Sequence, residues 1–293
     1  MNDTSTEDWQ MQKGSKIGIV GCSNGQTKEY KEKIEYLIDT ITNEVGLEPV
    51  ISDYIYETDS YFSGDAKDKA DALMNFYKDK EIKAIFDISG GDIANEVLEY
   101  LDYDIIRDNP KIFYGYSDLT TVINAIYAKT GNVSGLYQIR NLIYKDSEQQ
   151  IKNFKNTIID DGNALTDIEY YFIQEGYMEG TVIGGNIRCF LKLAGTEYMP
   201  DFKGKILLLE GLNSTSQQVA TYLCQLRQMG AFEKINGILL GTFTRLDADI
   251  FVPSVEELVQ KYAGRDIPVA RTMDIGHGTD AKCILIGKHM EFR

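Results

Sequence analysis

Apolar and polar positions alternate in blocks along the chain, and the blocks switch between the strand period and the helix period. Lys16-Ile-Gly-Ile-Val-Gly reads as a first buried strand running into the turn Cys22-Ser-Asn-Gly25. Lys28 to Thr42 then places Ile34, Leu37, Ile38 and Ile41 on one helical face. A short strand over Leu47–Ser52, a helix over Ala66–Tyr77 and a strand over Ile82–Ile88 follow. That third strand ends in Ser89-Gly90-Gly91-Asp92, with Asp92 as the N-cap of a helix reaching about Leu101. Ile112–Tyr114 is a strand that turns at Gly115-Tyr116-Ser117. It continues as a helix with Leu119, Val122, Ile123 and Ile126 at helical spacing, closed by Gly131 where a C-cap glycine belongs. Alternating strands and helices predict a parallel sheet flanked by helices, with functional groups at the C-terminal strand ends.

Lys145 to Gly176 is more polar and less regular, and the connection between two domains is placed there. Beyond it, Gly176–Gly185 reads as strand and turn, Ile187–Gly195 as a short helix, and Lys205–Leu209 as an apolar strand closing on Glu210. Ser216–Met229 is a helix stopped by Gly230, and Gly237–Gly241 is a strand. Ser254-Val-Glu-Glu257 is a capping box, and Ile267–Ala270 is a strand before the loop Asp274-Ile-Gly-His-Gly278. Cys283–Ile286 is a final strand. The expected organisation is a disordered leader over 1–15, an N-terminal α/β unit over 16–145, a linker over 146–176 and a C-terminal unit over 177–293.

At 293 residues the chain has room for two ordinary domains. No apolar run approaches a membrane span, and the polar start does not read as a secretory signal. The net charge of −15 opposes binding to nucleic acid or to anionic membrane, so an anionic substrate would need a local basic site. Cys22, Cys189, Cys224 and Cys283 form no C-x-x-C pair and lie in or beside apolar segments; they read as buried free thiols of a reducing cytoplasm. With two histidines in the chain, no histidine-rich metal site and no cofactor are expected.

A serine at a tight strand-to-helix turn presents its hydroxyl away from the core, and the Asp118 amide lies at a helix N-terminus. Taken alone, Ser117 reads first as an ordinary N-cap and second as a nucleophile. A nucleophilic serine needs a base, and the base needs an orienting partner. His277, flanked by Gly276 and Gly278, is the candidate base, while His289 in the polar C-terminal end reads as a surface residue. Glu210, at an apolar strand end, is the candidate partner; a surface or capping glutamate is its plainer reading. The backbone at Gly91 and Asp118 offers two donors for an oxyanion, although a lone Gly-Gly is also an ordinary turn. Gly21-Cys-Ser-Asn-Gly25 lacks both the G-x-G-x-x-G spacing and the Walker lysine, so nucleotide binding is not expected there.

Taken together, several segments resemble the LD-carboxypeptidase family of serine peptidases. They are Gly-Tyr-Ser117-Asp-Leu-Thr, Gly90-Gly91, Gly184-Gly185-Asn186, Lys205-Ile-Leu-Leu-Leu-Glu210, Gly237-Ile-Leu-Leu-Gly241 and Ile275-Gly-His277-Gly, in that family's order and spacing. The family includes enzymes that trim murein tetrapeptides and microcin-C immunity peptidases. The resemblance implies an α/β fold: an N-terminal mostly parallel sheet flanked by helices, then a mixed β-rich C-terminal domain, with the site between them. It implies Ser117 as nucleophile, His277 as base then acid, Glu210 as orienter, and main-chain donors near Gly91 and Asp118. It also implies a cytoplasmic homodimer without a metal.

Two segments depart from the murein enzymes' pattern. Ser89-Gly-Gly-Asp-Ile-Ala-Asn95 is closer to the immunity type, and Gly135-Leu-Tyr-Gln-Ile-Arg140 stands where a Gly-Pro-Met-like segment is common. Gly90, Asn95, Arg140, Arg188 and Lys282 are the substrate-binding candidates, the last three as the local basic contact. The expected activity is hydrolysis of an amide near a free C-terminus, an L,D-bond of a murein-type tetrapeptide. Cleavage of a peptidyl or aminoacyl nucleotide is the alternative within the family. A binding module without turnover is the alternative outside it.

Overall fold

The computed structural model describes residues 10–174, 176–248 and 253–293. Its strands are β1 (Lys16–Val20), β2 (Glu48–Ile51), β3 (Ile82–Asp87), β4 (Ile112–Gly115), β5 (Ser134–Leu136), β6 (Tyr171–Gln174), β7 (Met178–Asn186), β8 (Lys205–Gly211), β9 (Gly237–Phe243), β10 (Val269–Arg271), β11 (Ile284–Ile286) and β12 (His289–Phe292). They form two six-stranded sheets, ordered β11-β5-β4-β3-β1-β2 and β12-β7-β8-β9-β10-β6. In the first, β2, β1, β3, β4 and β5 run parallel and β11 is antiparallel at one edge. In the second, β7, β8, β9 and β10 run parallel, with antiparallel β12 and β6 at the two edges. This is the mostly parallel first sheet and mixed second unit expected from the sequence.

The helix Thr120–Thr130 lies between the layers. Its residues from Thr120 to Ile126 are all buried, so it is apolar around most of its circumference, as a helix covered on two sides must be. One core cluster contains Leu119, Val122, Ile123 and Ile126 of this region together with Val182, Ile206 and Leu208 of the second sheet. Asn124, a buried polar residue of that helix, donates from Nδ2 to the carbonyl of Gly184 at 2.8 Å and accepts from its N–H at 2.9 Å. The two units are thus joined by apolar packing and by a saturated amide pair.

Three expectations are corrected. Residues 1–9 of the leader lie outside the described residues, but 10–15 are in place: Met11 is buried and its N–H donates to the Ile158 carbonyl at 2.8 Å. The presumed linker carries a helix over Ser147–Ile158 and then β6. Its polar composition hid a narrow buried stripe of Gln150, Phe154, Thr157 and Ile158, spaced to face the first sheet's core. Lastly, the chain's final strand is β12, and β11 before it returns to the first sheet, so the tail of the second unit completes the first.

Candidate active site

β4 delivers Ser117. Tyr116 is extended, with φ −151°, and Ser117 turns to φ +54° before the helical backbone begins. It is one of three non-glycine residues with positive φ among the described residues. For an L-residue this costs about 1–2 kcal/mol, and it puts the side chain at the mouth of the crevice above the strand ends. β8 delivers Glu210, which is fully buried, and the loop after β10 delivers His277. Gly276 lets that loop pass: its φ is +148°, and a Cβ there would lie 1.8 Å from Thr242 Oγ1.

The three side chains meet across the crevice. His277 Nε2 lies 3.2 Å from Ser117 Oγ, and His277 Nδ1 lies 2.7 Å from Glu210 Oε2. A carboxylate can only accept, so Nδ1 carries the proton and Nε2 is left as the acceptor for the serine hydroxyl. The other carboxylate oxygen, Oε1, is buried without a partner among the described residues, which leaves the imidazole as this carboxylate's one donor there. Tyr116 backs the imidazole, with ring centroids 4.5 Å apart, and its hydroxyl donates to the Gly276 carbonyl at 2.8 Å. A hydroxyl hydrogen-bonded to an imidazole so oriented can lose its proton as it attacks an electrophilic carbon.

Facing Ser117 is the turn after β3. Gly91 has φ +130°, and a Cβ on it would lie 2.1 Å from Asn24 Oδ1. The Gly91 and Asp118 amides donate to nothing among the described residues. The Gly90 carbonyl accepts from Asn24 N–H at 3.2 Å. Asn95 is exposed, in the helical turn Ala94–Tyr100 that follows Gly91.

The basic candidates separate. Arg188 forms an ion pair with Asp92 and donates from Nη2 to the Gly91 carbonyl at 3.3 Å. The guanidinium beside Asp92 holds its carboxyl below the usual range. The Arg140 guanidinium makes one long bond among the described residues, Nη1 to Gln26 Oε1 at 3.3 Å, and its Nε is buried without a partner there. Lys282 is engaged elsewhere, donating to the Asp167 carbonyl at 2.6 Å and to Asp274 Oδ2 at 3.0 Å. It braces the loop before His277 against segment 167–169. His289 is exposed, as the sequence suggested.

Sequence reasoning missed Ser23, Asn24, Tyr116 and Lys192 at this crevice. Lys192 donates to Asp118 Oδ1 at 2.5 Å and to the Asp92 carbonyl at 2.8 Å. The available signal was its place four residues after Arg188, one helical turn further along the same face.

With this geometry in hand, residues 17–138 match the LD-carboxypeptidase N-terminal domain and residues 179–292 the LD-carboxypeptidase C-terminal domain. YocD of Bacillus subtilis (strain 168), whose name provisionally assigns it as a carboxypeptidase, is 30% identical over 95% of this chain and 93% of its own length. The microcin C7 self-immunity protein MccF of Escherichia coli is 28% identical over 90% of this chain and 86% of its own. A structure of MccF in complex with glutamyl sulfamoyl guanosine superposes with a TM-score of 0.86, at 24% identity over 96% of this chain and 94% of that one. The muramoyltetrapeptide carboxypeptidase from Oxalobacter formigenes superposes at 0.76, with 21% identity over 94% of each chain. At these identities the two superpositions speak for the fold alone.

Proposed function

The chain belongs to the LD-carboxypeptidase family and is a serine peptidase, and on that premise we propose that it cleaves the L,D-amide of a murein-type tetrapeptide beside its free C-terminus. The observation that carries this reading is the unbroken line Ser117 Oγ to His277 at 3.2 Å and His277 to Glu210 at 2.7 Å. Ser117 Oγ attacks the carbonyl carbon while His277 Nε2 takes its proton. The Gly91 and Asp118 amides receive the charge that develops on the carbonyl oxygen. His277 returns the proton to the leaving amine as the C–N bond breaks. Water then attacks the acyl ester by the same route and restores the hydroxyl. Arg140, with an unpartnered buried Nε, is the residue we assign to the substrate's terminal carboxylate. Arg188 shapes the Gly91 turn from the other side.

A second reading, hydrolysis of an aminoacyl or peptidyl nucleotide, is favoured by the Ser89–Asn95 turn and by the likeness to MccF, one structure of which holds glutamyl sulfamoyl guanosine. Assaying a murein tetrapeptide beside an aminoacyl sulfamoyl-adenosine separates the two. Release of the C-terminal D-residue, lost in Ser117→Ala, supports the first; turnover of the nucleotide alone replaces it with the second. The family resemblance also carries our expectation of a cytoplasmic homodimer, which sedimentation and cell fractionation test.

A further inference from the structure

The turn after β1 and the helical turn carrying Lys192 meet at one buried carboxylate beside the nucleophile. Asp118 is fully buried. Its Oδ2 accepts from Ser23 Oγ at 2.6 Å and from the Ala94 amide at 2.8 Å, and its Oδ1 accepts from Lys192 Nζ at 2.5 Å. The backbone of Asp118 follows Ser117, whereas Ala94 belongs to the loop that carries Gly91. One side chain therefore ties together the two backbone segments that carry the unpaired Gly91 and Asp118 amides. The loop's other end is pinned by Asp87: Ser89 N–H and Ser89 Oγ donate to Asp87 Oδ1 at 2.7 and 2.5 Å, and Ser89 Oγ accepts from Ser23 N–H at 2.9 Å. Asn24 brackets Gly91, donating its N–H to the Gly90 carbonyl at 3.2 Å and accepting from Asp92 N–H on Oδ1 at 3.0 Å.

Charge makes this arrangement costly unless it is balanced. A buried carboxylate next to a developing oxyanion would repel it, raising the barrier that the two amides lower. Lys192, from the second unit, supplies the opposing charge at direct contact and also donates to the Asp92 carbonyl at 2.8 Å. We propose that the Asp118 carboxylate, tied to Ser23 and neutralised by Lys192, holds the Gly91 loop and the Asp118 amide as one preformed oxyanion site. Lys192 and Asn24 are then positioning residues for the hydrolysis. The Gly21–Gly25 turn, which has no phosphate-binding signature, is in this account the scaffold of that site. The inference rests on the hydrolase reading above.

The test uses the full chain and whichever of the two probes, murein tetrapeptide or aminoacyl sulfamoyl-adenosine, the wild type turns over. Lys192→Met keeps the side-chain stem and removes the charge. It lowers kcat about 100-fold with KM within about threefold. Adding Asp118→Asn recovers kcat about tenfold or more over Lys192→Met alone. The new amide oxygen still accepts from Ser23 and Ala94, and its NH2 takes the place facing the lost ammonium. Asn24→Ala, at a half-exposed position, lowers kcat about tenfold without changing the melting temperature. Should Lys192→Met not fold, the Asn24→Ala result decides alone. The proposal is overturned if Lys192→Met keeps kcat within threefold, or raises KM with kcat unchanged, as a direct substrate ligand would. It is also overturned if the double variant is no better than the single one, or if Asn24→Ala matches wild type. If the wild type turns over neither probe, the hydrolase reading falls and this inference with it. If Ser117→Ala is dead and these variants behave as wild type, the inference alone falls.

Discussion

The two ends of the first sheet make an instructive pair. At the N-terminal ends of β3 and β4 lies a cavity of about 330 Å³ lined by Lys80, Lys83 and Lys111 among others. In an acidic protein such a basic hollow invites an anion. Each of its ammonium groups already has a partner in the chain, however, and that of Lys111 has three. Lys111 donates to the carbonyls of Phe76, Tyr77 and Asp79 at 2.8, 2.6 and 2.6 Å, Lys80 to Asn109 Oδ1 at 2.5 Å, and Lys83 to the Lys80 carbonyl at 3.2 Å. Lys111 in particular satisfies the last carbonyls of the helix Ala66–Lys78, a structural duty. At the opposite ends of the same strands the backbone is strained at Ser117, two amides are unpaired, and groups from both units converge. Volume marks where side chains fail to fill a gap. Chemistry sits where donors are left unpaired around an activated group.

Substitutions at each end sharpen the contrast, taken here from largest effect to smallest. Ser117→Gly removes the hydroxyl and should lower turnover of the responsive probe about 10⁵-fold. Because glycine adopts φ +54° without strain, the same variant gains up to about 1 kcal/mol in urea unfolding. Losing function while gaining stability is the mark of an active-site end. Glu210→Gln should lower kcat about 10³- to 10⁴-fold with KM little changed, since a neutral amide can present its NH2 to Nδ1 and select the wrong tautomer. Gly91→Ala forces a Cβ to within 2.1 Å of Asn24 Oδ1 and displaces the turn, for a loss in kcat of about 100-fold. Lys111→Met, at the other end, should leave kcat within about twofold and cost about 1–2 kcal/mol of stability. A large loss of activity from that last change would erase the distinction between the ends.

Much of this was legible in the chain because it depends on local pattern. The strand–turn–helix at Ile112–Thr130, the apolar run ending in Glu210 and the glycines around His277 are each written in a few consecutive residues. Their order also carried the family resemblance. What stayed hidden depends on partners distant in sequence. Nothing near Asp118 announces that Ser23, Ala94 and Lys192 converge on it, and nothing in Ile284–Ile286 says that it pairs with β5 rather than with the second sheet. The helix Ser147–Ile158 escaped notice because its buried stripe is narrow and partly polar, with Gln150 inside it. There the amide is satisfied, accepting from the Tyr137 hydroxyl at 2.9 Å and donating to the Ala281 carbonyl at 3.1 Å. Lys282 misled as a substrate ligand for the converse reason: a surface lysine looks free in the sequence, and only the fold shows which carbonyl occupies it.

The account depends on Ser117 being the atom that bonds to substrate. Rapid acid quench during a single turnover of murein tetrapeptide, followed by intact-mass and peptide mapping, reads this directly. The account predicts a transient adduct with the mass of the acyl portion on the peptide containing Ser117, absent from Ser117→Ala. An adduct on another residue, or a Ser117→Ala protein that still releases the D-residue at the wild-type rate, would contradict it.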